Sequence, residues 1–137
     1  MVDMKGRWAF ITGASRGIGY LSAIFMAKQG CNLILHSRKP EHTKAVLEEV
    51  RALGVEAIGV SAELSNPDEV ASMLDEIDGF CRKIDIVLNN AGLQIAYRVN
   101  YYETPVSDYI ESYKINTVAP AMICYHFLPK MIEAGFG

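Results

Sequence analysis

Eight residues carry the first recognisable chemistry of the chain: Thr12-Gly13-Ala14-Ser15-Arg16-Gly17-Ile18-Gly19. They stand between an apolar run at 8–11 and an amphipathic run that opens at Ile18, so a strand has to turn into a helix across three glycines. Glycine permits the sharp reversal and lets an anion approach the backbone with no Cβ in the way. The free N–H groups of the helix start, reinforced by the helix dipole, then suit a phosphate. The spacing Gly13, Gly17, Gly19 differs from the G-x-G-x-x-G dinucleotide fingerprint. Nor is it a P-loop, because Tyr20 and Leu21 stand where Lys and Ser/Thr are needed to hold terminal phosphates and magnesium. Triphosphate hydrolysis is therefore disfavoured. Taken alone, the turn also admits the plainer reading of an ordinary strand-to-helix loop.

The elements that position this turn alternate along the chain. After the strand at 8–11, a helix is expected over 17–29 with Ile18, Leu21, Ile24 and Phe25 on one face and Gly30 as its stop. Residues 31–35 form a nearly continuous apolar run, as in a strand buried on both faces. A turn at 36–40 carries Arg38 and Lys39, and a helix over 41–53 turns Ala45, Val46, Val50 and Leu53 inward. A third strand is expected at 55–60. The next helix is the best marked: Asn66 caps it, Pro67 takes its first position and Glu69 completes a capping box. It should run to about Cys81 and bury Val70, Met73, Leu74 and Ile77. A fourth strand at 84–88 ends in Asn89-Asn90-Ala91-Gly92, the second stretch with chemical potential. Residues 93–104 have no period, and Tyr97, Tyr101 and Tyr102 suggest a loop lying against something. A long helix over 106–134 holds Pro120 and Pro129, which predict a kink at one or both.

Such alternation predicts an α/β fold, a Rossmann-type doubly wound parallel sheet with strand order 3-2-1-4 and helices on both faces. Ligands bind such sheets at the switch point, here between strands 1 and 4, where the glycine turn and residues 89–92 both end. Composition fits a single globular domain: 137 residues, 50% apolar, 21% charged, net charge −3. No broad basic surface invites nucleic acid or anionic lipid, and no apolar run approaches the ~18 residues of a membrane span. Cys31, Cys81, Cys124, His36, His42 and His126 are too dispersed for disulfides or a metal site. They read as packing or surface residues of a cytoplasmic protein.

With Thr12-Gly-x-x-x-Gly-x-Gly19 after the first strand and Asn89-Asn-Ala-Gly92 after the fourth, the chain from Arg7 onward strongly resembles the short-chain dehydrogenase/reductase family. Its flavour is that of the subgroup with 3-oxoacyl-(acyl-carrier-protein) reductases and sugar or polyol dehydrogenases. The resemblance implies an NAD(P)-dependent oxidoreductase that moves a hydride between nicotinamide and the carbon of a small-molecule carbonyl or alcohol. Gly13, Gly17 and Gly19 would cradle the diphosphate with the Ser15 hydroxyl and the Ile18 amide. Asn90, Ala91 and Gly92 would line the path from adenosine to nicotinamide, while Asn89 either ties strand 4 to strand 1 or touches the cofactor. Glu63, followed by Leu64, occupies the place where the family usually carries an Asp that accepts from the adenine amino group.

At the end of strand 2, an NAD enzyme places a carboxylate that binds the ribose hydroxyls and repels a 2′-phosphate. This chain has Ser37 and Arg38 there, with Arg16 on the same side. Two guanidiniums and a hydroxyl suit a phosphate, so NADP(H) is expected over NAD(H). The plainer alternative makes Arg38 and Lys39 solvated turn residues. Asn116, in Lys114-Ile115-Asn116-Thr117, matches the family's asparagine that holds a proton-relay water, and a capping or kink role is compatible with it.

The remaining catalytic groups implied by the resemblance are a serine and a Tyr-x-x-x-Lys pair. No lysine here has a tyrosine four residues before it: Lys114 gives Ile110 and Lys130 gives His126. Residues 1–137 are accordingly expected to be a dinucleotide-binding domain truncated before a fifth strand, inactive alone and part of a homo-oligomer, dimer or tetramer, when full length. The competing reading is a noncatalytic nucleotide-binding or partner-binding module. A bare strand at 84–88, and Ile110, Ile115, Met122, Ile123 and Phe127 in need of a partner, favour the truncated enzyme.

Overall fold

The computed structural model describes residues 3–80 and 83–137. Four short apolar runs pair in parallel: β1 (Trp8–Ile11), β2 (Asn32–Ser37), β3 (Ala57–Ser61) and β4 (Ile86–Leu88). Their order is β3-β2-β1-β4, as the alternation of elements predicts. Strand alternation splits the core in two. Phe10 and Ile34 face one layer of helices, whereas Ala9, Ile11, Leu33 and Leu35 face the other. β2 extends past the expected end at Leu35 because β3 reaches far enough to pair Val60 with His36 and Ser61 with Ser37. Both polar residues are buried as a result.

α1 (Gly17–Lys28) lies on the sheet through Gly19, Ala23 and Ala27. This corrects the expected inward face: Ile18, Leu21 and Phe25 are exposed at 75%, 66% and 59%, and Ile24 is half-buried. The helix is apolar around much of its circumference, so hydrophobicity does not choose a face. Close approach does. A Cβ at Gly19 would stand 2.3 Å from the Gly13 carbonyl oxygen, so only glycine fits where the helix leaves the turn.

A 3-10 turn (Pro40–Thr43) leads into α2 (Lys44–Ala52). Val46 and Val50 point inward as expected, but Ala45 and Leu53 do not, and buried Thr43 takes an inward place instead. α3 (Pro67–Phe80) buries Val70, Met73, Leu74 and Ile77, again as expected, while Cys81 lies outside the described residues. Asn66 Oδ1 accepts the Asp68 N–H at 3.1 Å. Glu69 caps differently from a capping box. Its carboxylate accepts from Asn66 Nδ2 (3.0 Å) and from the Glu63 N–H (2.7 Å), which ties the helix start to the segment after β3.

The long helix is three pieces: α4 (Val106–Tyr113), a π turn (Lys114–Val118) and α5 (Ala119–Glu133). At the π turn the Ala119 N–H reaches the Lys114 carbonyl five residues back. Pro120, which follows, has no N–H for the Asn116 carbonyl four residues back, and its ring crowds the preceding turn. Widening that turn relieves the crowding. Ile123 and Phe127 find their partner within the chain, packed with Phe10 and the buried side of α3; the Phe10 and Phe127 rings meet edge to face at 6.0 Å. Ile115 and Met122 pack against the same core, whereas Ile110 is exposed.

At the N-terminal ends of the strands, buried Asp85 accepts the Trp8 N–H (2.9 Å) and pairs with Lys83 (2.8 Å) and Arg7 (3.5 Å), joining β1 to β4. Burial opposes ionisation of this carboxyl. The hydrogen bonds from Lys83 and the Trp8 N–H, with the charges of Lys83 and Arg7, outweigh it and hold the group below the usual aspartate range.

Candidate active-site cleft

At the opposite, C-terminal edge of the sheet, the two glycine-containing stretches are stitched into one unit. Thr12 is buried, donates its N–H to the Leu88 carbonyl (3.0 Å) and accepts the Asn90 and Ala91 N–H groups at Oγ1, each at 3.0 Å. In return, Asn90 Nδ2 donates to the carbonyls of Thr12 (3.0 Å) and Gly13 (3.2 Å). The tie between strands 4 and 1 thus belongs to Asn90. Asn89, weighed for that role from the sequence, is exposed, and its Nδ2 faces Cys124 Sγ at 3.5 Å.

The glycines are required for different reasons. Gly13 has φ +64°, and a Cβ on it would stand 3.0 Å from Ala91 Cα. Gly19 is closed off by the Gly13 carbonyl and, at 2.6 Å, by Asn90 Nδ2. Gly17 has φ +58° with open space beside it, so its backbone alone demands glycine, and the free side faces the cleft.

That cleft has a volume of about 680 Å³. The turn lines it with Gly13, Ser15, Arg16, Gly17 and Ile18, and the end of β2 with Ser37 and Arg38. Glu63 and Leu64, just beyond β3, form another wall, and Asn90, Ala91 and Gly92 close the side toward β4. Of the cofactor-contacting residues expected from the sequence, only Gly19 is off the wall, buried beneath the turn. Arg16 and Arg38 are exposed and have no ion pair or hydrogen-bonded side-chain partner among the described residues. Ser37 differs from the expectation of a phosphate donor: its hydroxyl donates to the Lys39 carbonyl at 2.7 Å and so shapes the turn that carries Arg38.

Five wall residues were not assigned to the site from the sequence: His36, His42, Leu93, Glu111 and Ile115, of which the two histidines read as packing or surface residues. His36 is the most consequential. Its ring is 1% exposed; Nδ1 accepts the Gly13 N–H at 3.3 Å and Nε2 donates to the Ala62 carbonyl at 3.0 Å. Those partners fix the neutral tautomer with hydrogen on Nε2. Burial lowers the pKa of the ring, against the opposing influence of the Ala62 carbonyl and the Glu63 charge. The signal available in the sequence was a histidine at the end of an apolar strand run, where a buried polar ring needs two partners.

Asn116 sits in the π turn, where the long helix is interrupted. Its Oδ1 accepts the Leu93 N–H (2.8 Å), and its Nδ2 donates to the Leu93 carbonyl (2.8 Å) and to Ser112 Oγ (3.1 Å). The side-chain amide is therefore occupied in clamping the segment that follows Gly92 to the π turn. Tyr97, Tyr101 and Tyr102 are 89%, 82% and 72% exposed, and the Tyr101 and Tyr102 rings meet each other edge to face at 5.7 Å. No cluster of His, Cys, Asp or Glu among the described residues suits a metal ion, and no described helix is long and apolar enough to cross a membrane.

Comparison with known proteins agrees with this architecture. The model of the short chain dehydrogenase family matches residues 7–137. A 3-oxoacyl-(acyl-carrier-protein) reductase of Staphylococcus aureus is 37% identical over 86 residues, 62% of this chain and 35% of that protein. Among solved structures, a metagenomic short-chain oxidoreductase in complex with NADP superposes with a TM-score of 0.92 at 29% identity, covering 99% of this chain and 60% of that one. An NAD+-bound xylitol dehydrogenase superposes with a TM-score of 0.89 at 26% identity, covering 99% and 52%. The chain spans between about a third and about half of the length of the curated relatives it matches. On the family match across 7–137 and the shared architecture, the chain belongs to the short-chain dehydrogenases.

Proposed function

We propose that this chain forms the cofactor-holding part of an oxidoreductase that works with NADP(H) in preference to NAD(H) on a small carbonyl or alcohol. The observation that carries the reading is the pair Arg16 and Arg38, both on the wall of the cleft, both without an ionic partner among the described residues, with no carboxylate at the end of β2 to oppose a phosphate. The residues present fit a dinucleotide. The turn at Gly17 is open on the cleft side, and the crowding at Gly13 and Gly19 holds its backbone in one shape. Gly13, Ser15, Gly17 and Ile18 would bind the diphosphate over the start of α1. Gly19 supports them from beneath, Glu63 and Leu64 would bound the adenine, and Asn90, Ala91 and Gly92 would line the way to the reacting ring. When bound, the nicotinamide supplies or takes the hydride.

Within the reaction, Asn116 acts by its backbone. With the side-chain amide given to Leu93, its carbonyl, deprived of an N–H by Pro120, is the group suited to hold a relay water. Because no Tyr-x-x-x-Lys occurs in these residues, the 137-residue chain alone transfers no hydride. Steady NADPH consumption by the purified chain with any ketone would contradict that. Exposed Val106, Tyr109, Ile110 and Tyr113, spaced to share one side of α4, support a homo-oligomer in the longer protein. The free thiols Cys31 and Cys124 suit a reducing cytoplasm.

Calorimetric titration of the chain with NADPH and with NADH tests the cofactor reading. Tighter binding of NADPH is expected; equal or reversed affinities would refute the preference, and no binding of either would refute the cofactor role.

A further inference from the structure

The His36 ring touches both halves of the adenosine end of the cleft: the Gly13 N–H in the phosphate turn on one side, and the Ala62 carbonyl, next to Glu63 and Leu64, on the other. It is a bridge between walls that sequence separates by 49 positions, and it works in only one protonation state. Gly13 offers a hydrogen toward Nδ1, so Nδ1 must keep its lone pair. A second hydrogen on that nitrogen would leave two donors facing each other, with the Gly13 N–H deprived of its acceptor in a buried place. The neighbouring Ala14 N–H is already held by the His36 carbonyl at 2.9 Å, so the turn cannot slide to a new partner without breaking a second bond to the same residue.

We propose that His36 is a positioning residue for nucleotide binding: its neutral ring sets the direction of the Gly13 amide, and uptake of a proton at Nδ1 releases the phosphate turn and weakens the nucleotide in acid. The inference rests on the cofactor role proposed above. Of the charges near the ring, Glu63 favours the protonated form, and the cations Arg16 and Arg38 stand on the same cleft wall. The 3-10 turn adds Glu41 and His42, α4 presents Glu111 to the cleft, β1 and β3 contribute no titratable side chain, and α1 has no acid in its first turn. Burial keeps the ring neutral at neutral pH, so the effect belongs to the acid side of the ordinary histidine range.

The probe is ADP-ribose, which lacks the 2′-phosphate and so does not itself titrate between pH 5 and 8. Binding by the wild-type chain should weaken as pH falls below about 6.5, toward about tenfold once the ring is fully protonated, the scale of one lost hydrogen bond. His36→Asn keeps a non-titrating acceptor near the Nδ1 position and should flatten this profile. His36→Leu lacks the acceptor and should bind weakly at every pH, also without a slope. Circular dichroism at each pH separates release of the turn from unfolding. A second readout needs no nucleotide: the Gly13 amide resonance, followed by NMR, should shift with the His36 ring titration in the wild type and stay constant in His36→Asn. A Gly13 amide indifferent to the ring, identical slopes in wild type and His36→Asn, or binding that strengthens in acid would each overturn the inference. Should NADPH, NADH and ADP-ribose all fail to bind, the cofactor reading falls, and the Gly13 titration still decides whether His36 controls the turn.

Discussion

The two ends of the sheet are joined by different chemistry. At the N-terminal ends of β1 and β4, the link is ionic and closed: Asp85 is buried and engaged by Arg7, Lys83 and the Trp8 N–H. The C-terminal ends are joined by neutral groups, Thr12 Oγ1, the Asn90 amide and the His36 ring, while the nearby cations Arg16 and Arg38 have no side-chain partner among the described residues. One end spends its charges on holding strands together. The other builds its framework from uncharged hydrogen bonds and leaves Arg16 and Arg38 exposed on the cleft wall. Unpaired cations in a cleft are inexpensive while they remain hydrated and become strong once a phosphate arrives.

The contrast is most severely tested at Gly19. Gly19→Val drives a branched side chain into the Gly13 carbonyl and the Asn90 amide at once. Because the clash is with backbone, a loss of about 3 kcal/mol in unfolding free energy and of detectable nucleotide binding is expected, by urea denaturation and calorimetry. Unchanged binding would mean that the turn is not the framework of the site.

Asp85→Asn probes the opposite end. The amide keeps an acceptor for the Trp8 N–H but loses its charge pairing, which should cost about 1 kcal/mol at pH 7 with little change in nucleotide affinity. The acid limb gives the sign. The Asp85 carboxyl titrates lower in the folded chain than in the unfolded one, so the unfolded state takes up the proton first as pH falls. The stabilisation is complete above about pH 4, the ordinary aspartate value, and disappears as pH drops through the folded value. The variant should lack that part of the acid loss; equal losses in both proteins would remove Asp85 from the account.

Much of this arrangement was legible because its determinants are local. Apolar runs separated by helix signals gave the strand order, and Asn66-Pro67 marked the start of α3 to the residue. Pro120 announced a break in the long helix, though not that the break would be a π turn ahead of it. The misreadings occur where distance along the chain intervenes. The face of α1 was decided by how closely Gly19 must approach Gly13, which an apolar pattern does not encode. Thr12 opened the motif, yet its hydroxyl serves Asn90 and Ala91, 78 and 79 residues away. His36 looked like packing because its partners Gly13 and Ala62 lie on other strands' ends. Asn89 and Asn90 differ only in which of two adjacent side chains points back toward β1, a matter of strand phase.

The claim that the free charges at the C-terminal edge await a 2′-phosphate is tested most directly by one ratio. By calorimetry, the affinity for NADPH divided by that for NADH should fall about a hundredfold in the double variant Arg16→Ala with Arg38→Asp, the scale of two lost charge-assisted contacts. A ratio that does not move would show both arginines to be solvated bystanders and would contradict the account.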